Sequence, residues 1–350
     1  KLNNKIMILK SRIREKAVNA MMIALLFFIT GIYSCVQAQS VLPVSNADKK
    51  VNVASIIDPT SKAEVLQHSI NSPYEELKPV LAPGGKRLYF SRLANPYNTS
   101  SAATDEDIWY SDVDTTTNTW SEPMRMPGVL NNTGPNYVNN VSVTGDTLIL
   151  GNQYGKKGKM RAGLSYSVNV NGQWSMPQTI AIENDYNISE HSNSFVSLKN
   201  GVIIRAIQRA ETFGERDLYV SFWNGVYATE PVNMGAVINT DMEESSPFLA
   251  PDNKTLYFAS KGHSGFGGYD IFVTRRLDES WTNWSKPENL GTAVNGAADD
   301  EFFSLTPCGR FAIFSKKVSV HNADLFKISI KGQICVPANK LNSKETFASL

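Results

Sequence analysis

Cysteine is nearly absent from this sequence, which holds only Cys35, Cys308 and Cys335 among its 350 residues. So few exclude a fold held by a disulfide framework. Histidine is as scarce, and His68, His191, His263 and His321 show none of the spacings that metal ligands require. No apolar run comfortably reaches the about 20 residues of a membrane-spanning helix. No long helical periodicity appears after residue 45. A G-x-S-x-G nucleophile elbow is missing, which removes an α/β-hydrolase. Charge of one sign is missing too, with 34 Lys and Arg against 33 Asp and Glu. Without a basic stripe, a nucleic-acid partner is excluded.

What is present begins with an export leader. Lys10, Arg12, Arg14 and Lys16 precede an apolar stretch from Ala20 to about Tyr33, the pattern of a signal peptide over residues 1–38. Val36-Gln37-Ala38 offers small residues for cleavage before Gln39, whereas Ile32-Tyr33-Ser34-Cys35 resembles a lipoprotein box that would place a lipid anchor on Cys35. Tyr33 fits such a box poorly, so simple cleavage is favoured; a retained anchor is the third possibility. Residues 1–38 hold six Lys and Arg and one Glu, so their removal leaves 28 basic and 32 acidic residues, a net charge of −4. In an oxidising compartment the remaining Cys308 and Cys335 could form a disulfide or stay separate thiols.

The rest of the chain repeats itself. Ile70-Asn71-Ser72 through Leu88-Tyr89-Phe90 aligns without a gap on Ile238-Asn239-Thr240 through Leu256-Tyr257-Phe258, at an offset of 168. Leu148-Ile149-Leu150, Val202-Ile203-Ile204 and Ala312-Ile313-Phe314 continue the frame at spacings of 60, 54, 54 and 56, which makes five copies. Asp107-Ile108-Trp109, Asp217-Leu218-Tyr219, Asp270-Ile271-Phe272 and Asp324-Leu325-Phe326 run in step, with Ala162-Gly163-Leu164 as the degenerate copy. Trp120-Ser121-Glu122-Pro123, Trp174-Ser175-Met176-Pro177 and Trp284-Ser285-Lys286-Pro287 form a third marker, and Gly332-Gln333 through Pro337 echoes it. Each unit reads as four short strands rich in aromatic and β-branched residues, separated by turns such as Pro251-Asp252-Asn253. A sheet of this size cannot bury both faces alone, but five arranged radially can. The expected fold is therefore all-β, a β-propeller of about five four-stranded blades over residues 65–337. Residues 39–64 would form an N-terminal strand or linker that adds an edge or closes the ring, and residues 338–350 a tail. Six blades, one irregular, is the alternative.

The run from Leu249-Ala250-Pro251-Asp252-Asn253 to Tyr257-Phe258-Ala259-Ser260, followed by Gly267-Gly268-Tyr269-Asp270-Ile271-Phe272, resembles the WD-like propeller repeat of TolB. Continued through Trp284-Ser285-Lys286-Pro287-Glu288-Asn289-Leu290-Gly291, it is similar to the version in cell-envelope proteins of Bacteroidetes, where it often precedes an OmpA-type domain. Only residues 338–350 follow the repeats in this sequence, so peptidoglycan anchoring is not carried over. The resemblance implies an exported protein, in the periplasm or at the outer membrane, that holds an envelope protein or glycan without catalysis.

Two periodic sets carry acids. Asp107, Asp217, Asp270 and Asp324 recur with the repeat, which suits an acceptor for backbone amides at the start of strand three rather than a catalytic site built once. Glu76, Asn136, Glu190, Glu244 and Asp300 each lie just before a first strand, at spacings of 60, 54, 54 and 56. First strands line a propeller's channel, so these five are expected to ring one mouth of it and attract a cation, a basic peptide or an amino sugar. The opposing reading is that each ties its own connecting loop. No cofactor is expected, although Asp299 and Glu301 beside Asp300 keep a Ca2+ site conceivable. A glycoside hydrolase would need two such carboxylates at a fixed separation, and their periodicity argues against it. The insertion Ala94–Glu106 and the basic segment Tyr154–Arg161 are the loops where binding could reside.

Overall fold

The computed structural model describes residues 56–331, except 58, 59, 115, 118 and 308. The leader, Cys35, the Cys308–Cys335 pair and the Gly332–Pro337 echo lie outside the described residues. Every described residue belongs to one unit.

Five antiparallel meanders follow one another. Blade one has strands Glu75–Leu81, Arg87–Leu93 and Glu106–Asp114, with two outer pieces, Thr119–Trp120 and Met124–Arg125. Blade two repeats this as Val138–Val141, Thr147–Tyr154, Met160–Val170, Gln173–Trp174 and Gln178–Thr179. Blade three comprises Asn193–Ser197, Val202–Ile207, Asp217–Phe222 and Val232–Asn233. Blade four comprises Glu244–Leu249, Thr255–Ser260, Asp270–Arg275 and Glu288–Asn289. Blade five comprises Asp300–Leu305, Phe311–Ser319 and Asn322–Ser329. The first strands touch in a closed cycle, blade five against blade one, so the ring has five blades rather than six.

Second strands show why the ring must form. Every residue of Thr255–Ser260 is buried, although its neighbours point to opposite faces. Leu256 and Phe258 pack with Ile204 and Val220 of blade three. Tyr257 packs with Phe303 and Phe314 of blade five, its ring stacked 4.7 Å from that of Phe303. One strand thus feeds two cores, and each large side chain removed from water contributes about 1.5–3 kcal/mol. The turn before it is set locally: Asp252 Oδ1 accepts from the amides of Lys254 and Thr255 at 2.9 and 2.8 Å, with Asn253 left-handed at φ 57°.

The fourth strand of blade five comes from the other end of the chain. Glu64–Val65 pairs antiparallel with Asn322–Ser329, setting Glu64 opposite Lys327 and Val65 opposite Phe326. Leu66 N–H then donates to Leu325 O at 2.9 Å, and Ile57 bridges Ile330. Asn71 completes the seam, accepting from Leu325 N–H at 2.8 Å and donating to Leu325 O at 3.2 Å.

Leu66 is buried in the cluster that joins blades five and one. Leu66→Ala is expected to cost about 2–4 kcal/mol, and Asn71→Ala about 1–3 kcal/mol. Urea unfolding measures both. Hydrogen exchange should show the amides of Asn322–Ser329 losing protection before those of Thr255–Ser260, and equal loss in both strands would refute closure by this seam.

Candidate functional site

In each blade, the connection between strands two and three lies on the same face as the connection to the next blade, because the meander is antiparallel. The five residues expected at the channel mouth start from this face, and four of them turn to their own loops. Glu76 accepts from Ser72 N–H at 2.9 Å, Asn136 from Asn132 N–H at 2.7 Å, Glu244 from Thr240 N–H at 2.8 Å and Asp300 from Gly296 N–H at 2.6 Å. All four are buried. The three acids each take a further partner: Arg92 for Glu76, Ser260 for Glu244 and Lys316 for Asp300. Glu190 is exposed and makes no such bond among the described residues. None of the five lines the axial cavity.

Burial is the main influence on these acids. It pushes the carboxyls of Glu76 and Glu244 up to about 7, against the hydrogen bonds they accept, and raises that of Asp300 as well. Among the described residues no group of three or more His, Cys, Asp or Glu is placed to hold a metal ion.

The aspartates at strand three are amide acceptors. Asp107 accepts from Thr99 N–H at 2.7 Å, Asp217 from Phe213 N–H at 2.9 Å, and Asp270 from the amides of Phe266 and Gly267. Asp324 is partnered by Asn322. A second periodic device is absent from the expectations drawn on sequence. Asn131, Asn239 and Asn295 each clamp the strand-three residue after the aspartate, accepting its N–H and donating to its C=O at Ile108, Leu218 and Ile271. Asn71 does the same to Leu325. A signal for it exists, since each stands five residues before a member of the acidic set.

Residues of all five first strands line the axial cavity, whose volume is about 60 Å3. Three of them, Lys78, Ser246 and Phe302, occupy equivalent bulges and are left-handed, at φ 52°, 50° and 58°. Side chains rarely adopt this region, and bulges of this kind re-aim a side chain. Lys78 is the cation of the cavity. Its Nζ lies 2.6 Å from Glu106 Oε1, 4.4 Å from the Tyr137 ring centre and 5.1 Å from that of Phe302. Glu301 reaches the wall through Ser246, whose hydroxyl lies 3.1 Å from its carboxylate. Lys78 is not among the residues singled out from sequence, and Glu301 is singled out only beside Asp300 in a conceivable Ca2+ site, because a register bulge cannot be read from the repeat spacing.

The rim of the face is apolar at intervals. The tips of the strand-two-to-three connections carry Tyr97, Phe213, Phe266 and Val320, exposed by 76, 55, 52 and 75%. The fifth tip, in blade two, is basic, with Lys156, Lys159 and Arg161 all exposed.

No family model matches this chain, and no curated protein matches it. Solved structures do. A glycoside hydrolase shares 8% identity over 80% of this chain and 93% of its own, with a TM-score of 0.54. An α-L-arabinofuranosidase from Lactobacillus brevis shares 11% over 76% of this chain and 94% of its own, at 0.47. A TolB-type protein from Agrobacterium tumefaciens shares 14% over 75% and 82%, at 0.41. At such identities the likeness concerns the fold alone, a β-propeller. Among the described residues no helix is long and apolar enough to cross a membrane.

The raised acids make stability pH-dependent. A carboxyl near 7 in the folded chain and near 4.5 in the unfolded chain keeps its proton longer when folded, so stability falls as pH rises from about 4.5 to 7 and is level above. For Glu244 the full drop is about 3 kcal/mol. Glu244→Gln and Glu244→Ala should both flatten that slope in urea titrations at stepped pH, and Glu244→Ala should be the less stable of the two by about 1–3 kcal/mol through the unpaired Thr240 amide. An unchanged slope in Glu244→Gln would show that Glu244 does not titrate in this window.

Proposed function

We propose that this protein is a non-catalytic binding scaffold of the cell envelope, which holds a protein partner on the face bearing the strand-two-to-three connections. The observation that carries the reading is the set of apolar tips: four of five blades present one exposed large side chain on the connection between strands two and three. Exposed apolar groups gathered on one face and held by a rigid frame suit a protein contact. The tips are well placed for it, because each strand three starts at an aspartate bonded back into its loop in blades one, three and four. The export leader and the resemblance to TolB-type repeats support an envelope setting. The lipid anchor on Cys35 belongs to the same reading, as does simple cleavage after Ala38.

One observation favours a second reading, glycan binding or glycoside hydrolysis in the axial cavity. The fold is shared with a glycoside hydrolase, and Glu106 and Glu301 approach the cavity through Lys78 and Ser246. Against it stands size, since a pocket for a drug-sized ligand usually measures about 300 Å3 or more, and this cavity about 60 Å3.

The test is cross-linking of the wild type and a Tyr97→Ser, Phe213→Ser, Phe266→Ser, Val320→Ser variant in native-host envelope extracts, with cross-links located by mass spectrometry. Substitutions at exposed tips should leave stability within about 0.5 kcal/mol each. One defined protein cross-linked at the tips of the wild type, and lost from the variant, is the expected result. A partner kept by the variant overturns the assignment of the face. Sugar hydrolysis abolished by Glu301→Gln, with no partner found, would favour the second reading.

A further inference from the structure

Four junctions between blades use the same devices, and the junction between blades two and three has lost them together. Gly163 stands where strand three elsewhere has its aspartate. Asp185 stands in the clamp series Asn71, Asn131, Asn239 and Asn295. A carboxylate cannot donate to a carbonyl, so the two-way clamp is gone. Glu190 is exposed, and Asn193–Ser197 pairs with its neighbour without the bulge found in the other four first strands. When local rules fail together at one place in a repeat, function or strain is the expected cause.

A buried arginine occupies that place. Opposite the strand-three residue two places after the aspartate position, strand two carries an apolar residue in four blades, Phe90, Leu150, Phe258 and Phe314; in blade three it carries Arg205. Arg205 is 1% exposed, among the largest fully buried side chains of the protein. Its Nη1 pairs with Asp185 Oδ1. Its Nε and Nη2 have no hydrogen-bond partner, nor has Asp185 Oδ2. Nε–H and Nη2–H form the edge with which an arginine grips a carboxylate in parallel; Arg87 holds Asp112 that way, at 2.6 and 2.7 Å. Buried donors left without partners are costly, so a pair of them calls for an explanation.

We propose that the junction between blades two and three is a binding site for a carboxylate that bears a neighbouring hydroxyl, with Arg205 as its anchor. The carboxylate oxygens accept from Nε–H and Nη2–H, and the hydroxyl donates to Asp185 Oδ2. Access is from the axis. Ser194 lies directly opposite Arg205 across the strand pair and lines the axial cavity, and directly opposed side chains leave a sheet on the same face. Across the junction the Tyr137 ring packs over Gly151, where a Cβ would meet it at 2.1 Å. The axial cavity of about 60 Å3 is lined by Ser194 and not by Arg205 itself, so a small hydroxy acid, or the acid arm of a sugar acid, would reach the fork past Ser194. The site stands independently of a partner on the outer loops.

The test is calorimetric titration and thermal unfolding of the full chain with sodium glycolate, sodium acetate and sodium glucuronate, against sodium chloride at matched ionic strength. Glycolate should bind saturably and more tightly than acetate, and raise the midpoint by about 5 °C at a hundredfold excess over Kd. Arg205→Lys keeps the charge without the fork, and is expected to lose at least about tenfold in affinity. Asp185→Asn replaces the acid with the residue of the other four junctions, so it should fold, and should lose the advantage of glycolate over acetate. Glucuronate binding as tightly as glycolate marks a sugar acid as the natural source, and weaker binding a small hydroxy acid. No saturable response in the wild type, or equal affinity in wild type and Arg205→Lys, overturns the proposal.

Discussion

A propeller blade has two apolar faces and no way to cover either, so everything in this protein depends on closing the ring. The closing contact is small. Two residues, Glu64–Val65, complete a sheet whose other strands come from the far end of the chain, and Leu66 and Asn71 fasten the seam to Leu325. Once it is shut, Tyr257 can face Phe303 and Phe258 can face Ile204, and a second strand such as Thr255–Ser260 is covered on both sides. The constraint also explains why second strands are continuously apolar. An alternating pattern would suit a sheet with one wet face, and these have none.

The polar parts follow from the same closure. Packing five sheets around an axis buries the connections between them, and buried amides need acceptors. At four of the five junctions one side chain accepts the amide four residues earlier, and an asparagine five residues before it clamps the preceding blade. Acids serve as acceptors here at a cost, because burial favours their protonated form. In return the loop is fixed at both ends, and the tips of the next connection can project from it. The rigidity of the face and the pH dependence of the fold therefore share one origin.

Much of this is legible in the sequence. The spacing of Leu88, Leu148, Val202, Leu256 and Ala312 places five second strands, and the structure has them there. The acidic series is located by the same spacing, but its orientation is not. Whether Glu244 faces the axis or its own loop depends on the turn between residues 240 and 244, which the period does not describe. The left-handed bulges at Lys78, Ser246 and Phe302 hide the cavity wall for a related reason: a bulge shifts register by one residue and turns side chains to the other face. The closing strand is harder still. Glu64–Val65 is too short to carry a pattern, and its partner is distant in sequence, so only the demand that the ring close points to it.

The junction between blades two and three is where period and chemistry part company, and the energetics say why that matters. A buried ion pair is seldom the stable choice, since desolvating both charges offsets their attraction, and apolar or neutral replacements often do as well or better. This protein displays the neutral alternative four times, as an asparagine at the junction with a strand two that carries phenylalanine or leucine at the equivalent position. At the fifth it holds Arg205 against Asp185, with two guanidinium N–H groups unmatched. Stability alone would favour the asparagine version there as well. A ligand that completes the fork would offset the difference only while bound, and would link folding to binding at this junction.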